Sequence, residues 1–290
     1  MTSRSCLGAA LLVAVSLPAL AQTKPAAPAA PQAKTQPAPA APPAASNDPL
    51  KEGLASLEAK NYEAALKSFN DAYGAGKADG AFYLGRMVEL GVGLQADPEK
   101  ARLLYLAAAD KGSAKAMNRV GLMSFRGEGM LQDYKAARDM ICKAADLGDA
   151  DAQFNCAGLL SQGQGGDKDL ARAMDLYGKA AAQDHIGAMN ALAVAHRDGT
   201  GVPKDLDKAR TYFDKAAAKG NPVGLYEIGT MYEGGGPTPR DLIKAHMYYN
   251  LASARQHPQA FEALQRVSAA MPPEDVEKAQ AEARSWKAAQ

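Results

Sequence analysis

Four histidines and three cysteines are all that these 290 residues hold of the side chains that most often ligate metals or act as nucleophiles. His185, His196, His246 and His257 are scattered, and none has a second histidine or a carboxylate at metal-ligand spacing. G-x-S-x-G and S-x-x-K are both absent, which removes the familiar serine nucleophiles. Charge of one sign is also lacking. Thirty-three Lys and Arg against 32 Asp and Glu give a net +1, and no basic stripe points to nucleic acid. The apolar run Leu7–Leu17 is too short to span a bilayer, so no transmembrane segment is expected in the mature chain. The acidic residues mostly cap helices or alternate with Lys and Arg. The residues therefore predict no catalytic, metal-binding or cofactor-binding group, and no enzyme.

What the chain has instead is a period. Asp97, Asp133, Asp169, Asp205 and Asp241 recur at a step of 36 residues, in register with Ala101, Ala137, Ala173, Ala209 and Ala245. Eight residues after each Asp comes a bulky side chain: Tyr105, Ile141, Tyr177, Phe213 and Tyr249. Three further on stands alanine again, at 108, 144, 180, 216 and 252. A period of this size marks stacked supersecondary units.

Each unit reads as a helical hairpin. The Asp carboxylate caps the second helix, and Pro98 suits its first position. Ala101, Leu104, Tyr105, Ala108 and Ala109 give that helix an apolar face. Gly112, Gly148 and Gly220 end it. Between the two helices lie the pairs Gly91/Gly93, Gly127/Gly129, Gly163/Gly165 and Gly199/Gly201. A phosphate-cradling loop follows a strand, whereas these follow a helix and recur with the period, which marks them as helix–helix turns.

The pattern Leu84-Gly85…Gly91-Val92-Gly93…Lys100-Ala101…Tyr105, carried most fully by Ile228-Gly229-Thr230-Met231-Tyr232-Glu233-Gly234, resembles the Sel1-like repeat, a relative of the tetratricopeptide repeat. The resemblance implies an all-α, right-handed α/α superhelical solenoid of about seven antiparallel helical hairpins. Departures occur at Cys156-Ala157 and Leu192-Ala193, where Leu-Gly is usual. His196 takes a tyrosine position, and Asp184 and Gln256 replace the terminal glycine.

In chain order, residues 1–21 read as a secretory signal peptide, with Arg4, the Leu7–Leu17 core and Ala19-Leu20-Ala21 before Gln22. Residues 22–48, rich in Ala and Pro, are expected to be a disordered linker. Residues 49–78 form a hairpin with a shortened inner loop, like a plain tetratricopeptide repeat. Residues 79–258 hold five 36-residue repeats. Residues 259–290 hold capping helices, the last expected over Glu274–Ala289 and anchored by Val276 and Trp286. Export makes the periplasm the expected compartment, with secretion as the second choice.

Two cysteines remain after the signal. Cys142 lies late in one unit's second helix and Cys156 early in the next unit's first, which leaves both a disulfide and two separate thiols open. Carried over from the tetratricopeptide likeness, the concave face takes Phe82, Arg86, Asn118, Phe125, Arg126, Phe154, Asn190, Arg197 and Tyr226 as partner-binding residues. Asn118 and Asn190 are placed to hold an extended peptide's backbone. The resemblance implies a non-enzymatic envelope adaptor or regulatory scaffold for a protein or peptide partner. An alternative comes from the cysteine-rich branch of the family, linked to β-lactam binding and hydrolysis. That branch has a regular cysteine pair in nearly every repeat, and this chain keeps one displaced pair. The sequence leaves the oligomeric state unassigned.

Overall fold

The computed structural model describes residues 48–289. The expected signal peptide and all of the expected linker but Asp48 lie outside the described residues. Fourteen helices and no strand occur within them: six packed pairs and two closing helices, one hairpin fewer than the seven expected. The first pair is α1 (Pro49–Glu58) and α2 (Tyr62–Gly74). Five pairs follow: α3 (Ala78–Leu90) with α4 (Pro98–Asp110), α5 (Ala114–Arg126) with α6 (Tyr134–Asp146), and α7 (Ala150–Gln162) with α8 (Leu170–Ala182). Then come α9 (Ile186–Asp198) with α10 (Leu206–Ala218), and α11 (Pro222–Gly234) with α12 (Leu242–Ser253). Last come α13 (Ala260–Ala269) and α14 (Pro273–Ser285), which both pack on α12 rather than on each other. From α1 to α13 each helix packs on its neighbours in sequence, the arrangement of an α/α solenoid.

The recurrent aspartate holds each hairpin twice. Its carboxylate accepts from the amide three residues on, as Asp97 does from Lys100 at 3.0 Å and Asp133 from Ala136 at 2.9 Å. Its own N–H donates back to the last turn of the first helix: Asp97 to Val88, Asp133 to Ser124, Asp169 to Leu160, Asp205 to His196 and Asp241 to Tyr232. One residue thus satisfies orphan groups at the end of one helix and the start of the next. The glycine pairs reverse the chain between them. Gly91 ends α3 with φ 66° and Gly93 follows with φ 74°. A Cβ on Gly93 would lie 2.4 Å from Cβ of Tyr62, so the second glycine lets the loop touch the preceding repeat.

Packing explains the alanine rows. Ala137, Ala173, Ala209 and Ala245 are fully buried, as are Ala144, Ala180, Ala216 and Ala252. Between the helices sit Tyr105, Ile141, Tyr177, Phe213 and Tyr249, all buried. Each bulky side chain faces a small one: a Cβ on Gly85 would come within 2.7 Å of the Tyr105 ring, and one on Gly229 within 2.7 Å of Tyr249. A single buried side chain of this size is worth about 1.5–3 kcal/mol, and the period repeats that gain along one core.

Two ends differ in detail. The α1–α2 turn spans only 59–61, against 91–97 between α3 and α4. At the other end α14 stops at Ser285, shorter than the Glu274–Ala289 helix expected. Its buried residue is Ala279, and Val276 is half-buried. Trp286 has extended backbone, φ −69° and ψ 138°, and its ring lies under Arg255, 4.9 Å from the centroid. The Ala289 N–H then donates to Ala218 at 2.6 Å, so the segment after α14 folds back on α10.

Candidate functional site

Helices α3, α5 and α7 also touch one another across repeats, so their side chains share one surface. On it lies a cleft of about 640 Å³. Phe82, Met87, Leu122 and Phe154 supply apolar wall, Arg86, Lys115, Arg119, Asp149 and Asp151 supply charge, and His185 lines the cleft beside them. Leu90, at its edge, is 62% exposed.

The charges are held by defined partners. Arg119 pairs with Glu89 and, at 2.9 Å, with Glu128. Burial pushes the Glu89 carboxyl up, but the Arg119 and Tyr105 hydrogen bonds outweigh it and hold the pKa below the ordinary value. Lys115 Nζ lies 3.5 Å from Asp149. Burial disfavours its charge, and Asp149 reverses the balance and raises its pKa. His185 caps α9 through Nδ1, which accepts from Ala188 at 3.0 Å. Its Nε2 faces Asp151 at 3.3 Å, and its ring stacks on Phe154 with centroids 4.6 Å apart. Burial raises the pKa of Tyr83, which also lines the cleft.

Four of the nine residues placed on a binding face from sequence meet here: Phe82, Arg86, Asn118 and Phe154. The others do not. Phe125 packs edge-on against Tyr134 at 5.0 Å, and Arg126 pairs with Glu128 at 3.2 Å. Arg197 is bound to Glu227 at 3.0 Å and to Asp198 at 2.9 Å, and Tyr226 stacks on His257 at 4.2 Å. The two amides placed to hold a peptide backbone tie repeats together instead. Asn118 is 7% exposed and accepts from Asn155 at 3.0 Å, while Asn190 donates to Asn221 at 3.0 Å. Cys142 and Cys156 are joined as a disulfide with Cα atoms 5.0 Å apart, linking α6 to α7 across the repeat boundary.

The period itself matches a known family model. The Sel1 repeat model matches residues 78–113, 114–149, 150–185, 186–221 and 222–257, one residue earlier than the units set out from sequence. The chain belongs to the Sel1 repeat family. Two crystal structures share the fold. A Sel1 repeat protein from Oxalobacter formigenes is 25% identical, with a TM-score of 0.68 over 84% of this chain and 100% of that one. A protective antigen of uropathogenic Escherichia coli strains, displaying an SLR fold, is 22% identical, with a TM-score of 0.68 over 80% of this chain and 52% of that one. The chain therefore spans about half the length of the E. coli antigen. No curated protein matches the sequence. Sel1 repeats are in general non-catalytic scaffolds that mediate protein interactions.

Three residues of the cleft do not recur along the repeats of this chain. The positions equivalent to Arg86 are Leu122, Gly158, Val194 and Thr230. Those equivalent to Lys115 are Asp79, Asp151, Gly187 and Val223, and those equivalent to Leu90 are Arg126, Gln162, Asp198 and Gly234. The repeat does not require these side chains for folding. Lys115 and Arg119 were missed in the sequence reading, although helical spacing sets them on one face of α5 with Leu122, one turn before it. His185, Asp149 and Asp151 left no such signal, because each looks like an ordinary cap or first-turn residue. No helix among the described residues is long and apolar enough to cross a membrane.

Proposed function

We infer that this chain is a non-enzymatic adaptor, exported to the periplasm, that holds a protein partner of the cell envelope in the cleft of α3, α5 and α7. The observation that carries this reading is the convergence of two aromatic rings, an exposed leucine and an arginine from the first and third Sel1 repeats on one surface. Aromatic residues and arginine dominate the energetics of protein interfaces. The export signal at 1–21 supports the location.

The test is crosslinking capture from the organism's envelope fraction, with the native chain beside Arg86→Glu/Phe154→Ala and with Arg126→Glu as control. A protein retained by the native chain and the control, and lost from the double variant, supports the reading. Equal capture by all three contradicts it. A cleft of about 640 Å³ is also of small-ligand size. Hydrolysis or saturable binding of a chromogenic β-lactam, lost in the double variant, would favour that second reading.

A further inference from the structure

The charged groups around the cleft are unevenly paired. Lys115 has Asp149, His185 has Asp151, and Arg119 has Glu89 and Glu128. Arg86 is exposed on the same rim and forms no ion pair among the described residues. One turn on, Leu90 is 62% exposed beside Val92 and Leu57, and the interior beyond them carries the Phe82 and Phe154 rings. A guanidinium with no ion pair of its own thus lies one turn from a leucine without cover, and both border the ring-lined cleft.

A guanidinium pairs with a carboxylate through two parallel hydrogen bonds, and apolar surface is stabilised by contact with apolar surface. The charge of one guanidinium, which has no ion pair of its own, suits one carboxylate. It falls short of a phosphate group, which carries about −1.5 to −2. The apolar stretch from Leu57 and Val92 to Phe154 has room for a side chain beside that carboxylate. We propose that the cleft recognises a polypeptide segment in which a carboxylate lies within two residues of a bulky apolar side chain. The carboxylate sits on Arg86, and the apolar side chain enters between Phe82 and Phe154. The proposal rests on the adaptor reading and narrows its partner.

Random twelve-residue peptides displayed on phage are selected on the immobilised full chain. The most enriched peptide is then synthesised with a fluorophore and titrated by anisotropy. The expected enriched sequences share an Asp or Glu within two residues of a Leu, Ile, Phe or Trp. Affinity is expected to fall about tenfold, or 1.4 kcal/mol, with Arg86→Glu and with Phe154→Ala, and to hold with Arg126→Glu. Circular dichroism verifies that each variant is folded. Changing the peptide's acid to its amide is expected to cause the same loss in the native chain and no further loss in Arg86→Glu.

Enriched peptides without an acid, or binding indifferent to Arg86→Glu, would overturn the proposal and leave the adaptor reading standing. No enrichment at all would also count against it, and the adaptor reading falls only if the envelope capture fails as well. Binding of free amino acids or inorganic phosphate with the same Arg86 dependence would replace the peptide by a small anion.

Discussion

The Tyr249 hydroxyl donates to the Glu233 carboxylate at 2.6 Å. Four repeats earlier the Tyr105 hydroxyl does the same to Glu89, also at 2.6 Å. In the other repeats these two positions change together: Ile141 stands with Phe125, Tyr177 with Ser161, and Phe213 with Arg197. The two tyrosines opposite a glutamate thus have their hydroxyls satisfied, which avoids the cost of an unpaired buried polar group. Tyr249→Phe is expected to lower stability by about 1.5 kcal/mol, because the lost bond is to a charged acceptor. Urea unfolding followed by circular dichroism measures it, and no change in midpoint would count against the pairing.

Helix glycines divide into two kinds. A Cβ at Gly229 would sit 2.7 Å from the Tyr249 ring, whereas one at Gly178 meets nothing within 4 Å. Gly229→Ala is expected to cost about 1–3 kcal/mol by overpacking. Gly178→Ala, in the middle of α8, is expected to add about 0.5–1 kcal/mol through helix propensity alone. Thermal melts of the two variants should move in opposite directions.

The Cys142–Cys156 bridge closes a sequence separation of 14 residues. Loop-closure entropy for a loop of that size is worth about 3 kcal/mol. Cys142→Ala/Cys156→Ala, or reduction of the native chain, is expected to lower stability by about 2–3 kcal/mol and to speed hydrogen exchange first in α6 and α7. Unchanged exchange there after reduction would refute the expectation.

Acid should act through histidine before carboxylate. Burial of His246, 2% exposed, holds its pKa below the ordinary 6.5, and burial does the same for His257 against an opposing pull from Glu227. As pH falls, the unfolded chain takes up these protons first. The stability they contribute is complete above about pH 6.5 and is lost as pH drops through the folded-state values. Arg266 holds Glu233 below 4.5, so that carboxylate stays ionised throughout this window. The denaturation midpoint is expected to fall from pH 7.5 to 5.5. His246→Met, which copies Met174 at the equivalent position, should reduce that fall. An identical pH profile for the variant would contradict this assignment.

The fold was legible because its residues repeat. Asp97 and its counterparts announce a cap, and the structure adds the backbone bond from the same residue that the sequence does not display. His196 was expected in place of a tyrosine. It stacks on Tyr212 at 6.0 Å, as Tyr232 stacks on Tyr248 at 5.8 Å one repeat later. Asp184 and Gln256 keep left-handed backbone, φ 66° and 63°, where other repeats use glycine. The cleft was half legible. Phe82, Arg86 and Phe154 follow from the frame, but the partners that leave Arg86 unpaired come from neighbouring repeats, 30 or more residues away. The fate of Asn118 and Asn190 was equally hidden, because an amide's partner depends on how adjacent repeats stack.

The most direct test of the cleft as a partner site is photocrosslinking in the organism's own envelope, with benzoylphenylalanine in place of Leu90 or Leu103. Both leucines are exposed, at 62% and 55%, and only Leu90 borders the cleft. A discrete protein adduct from position 90, weakened by Arg86→Glu and absent from position 103, is the result expected. Adducts from 103 alone, or the same adducts from both, would contradict the account.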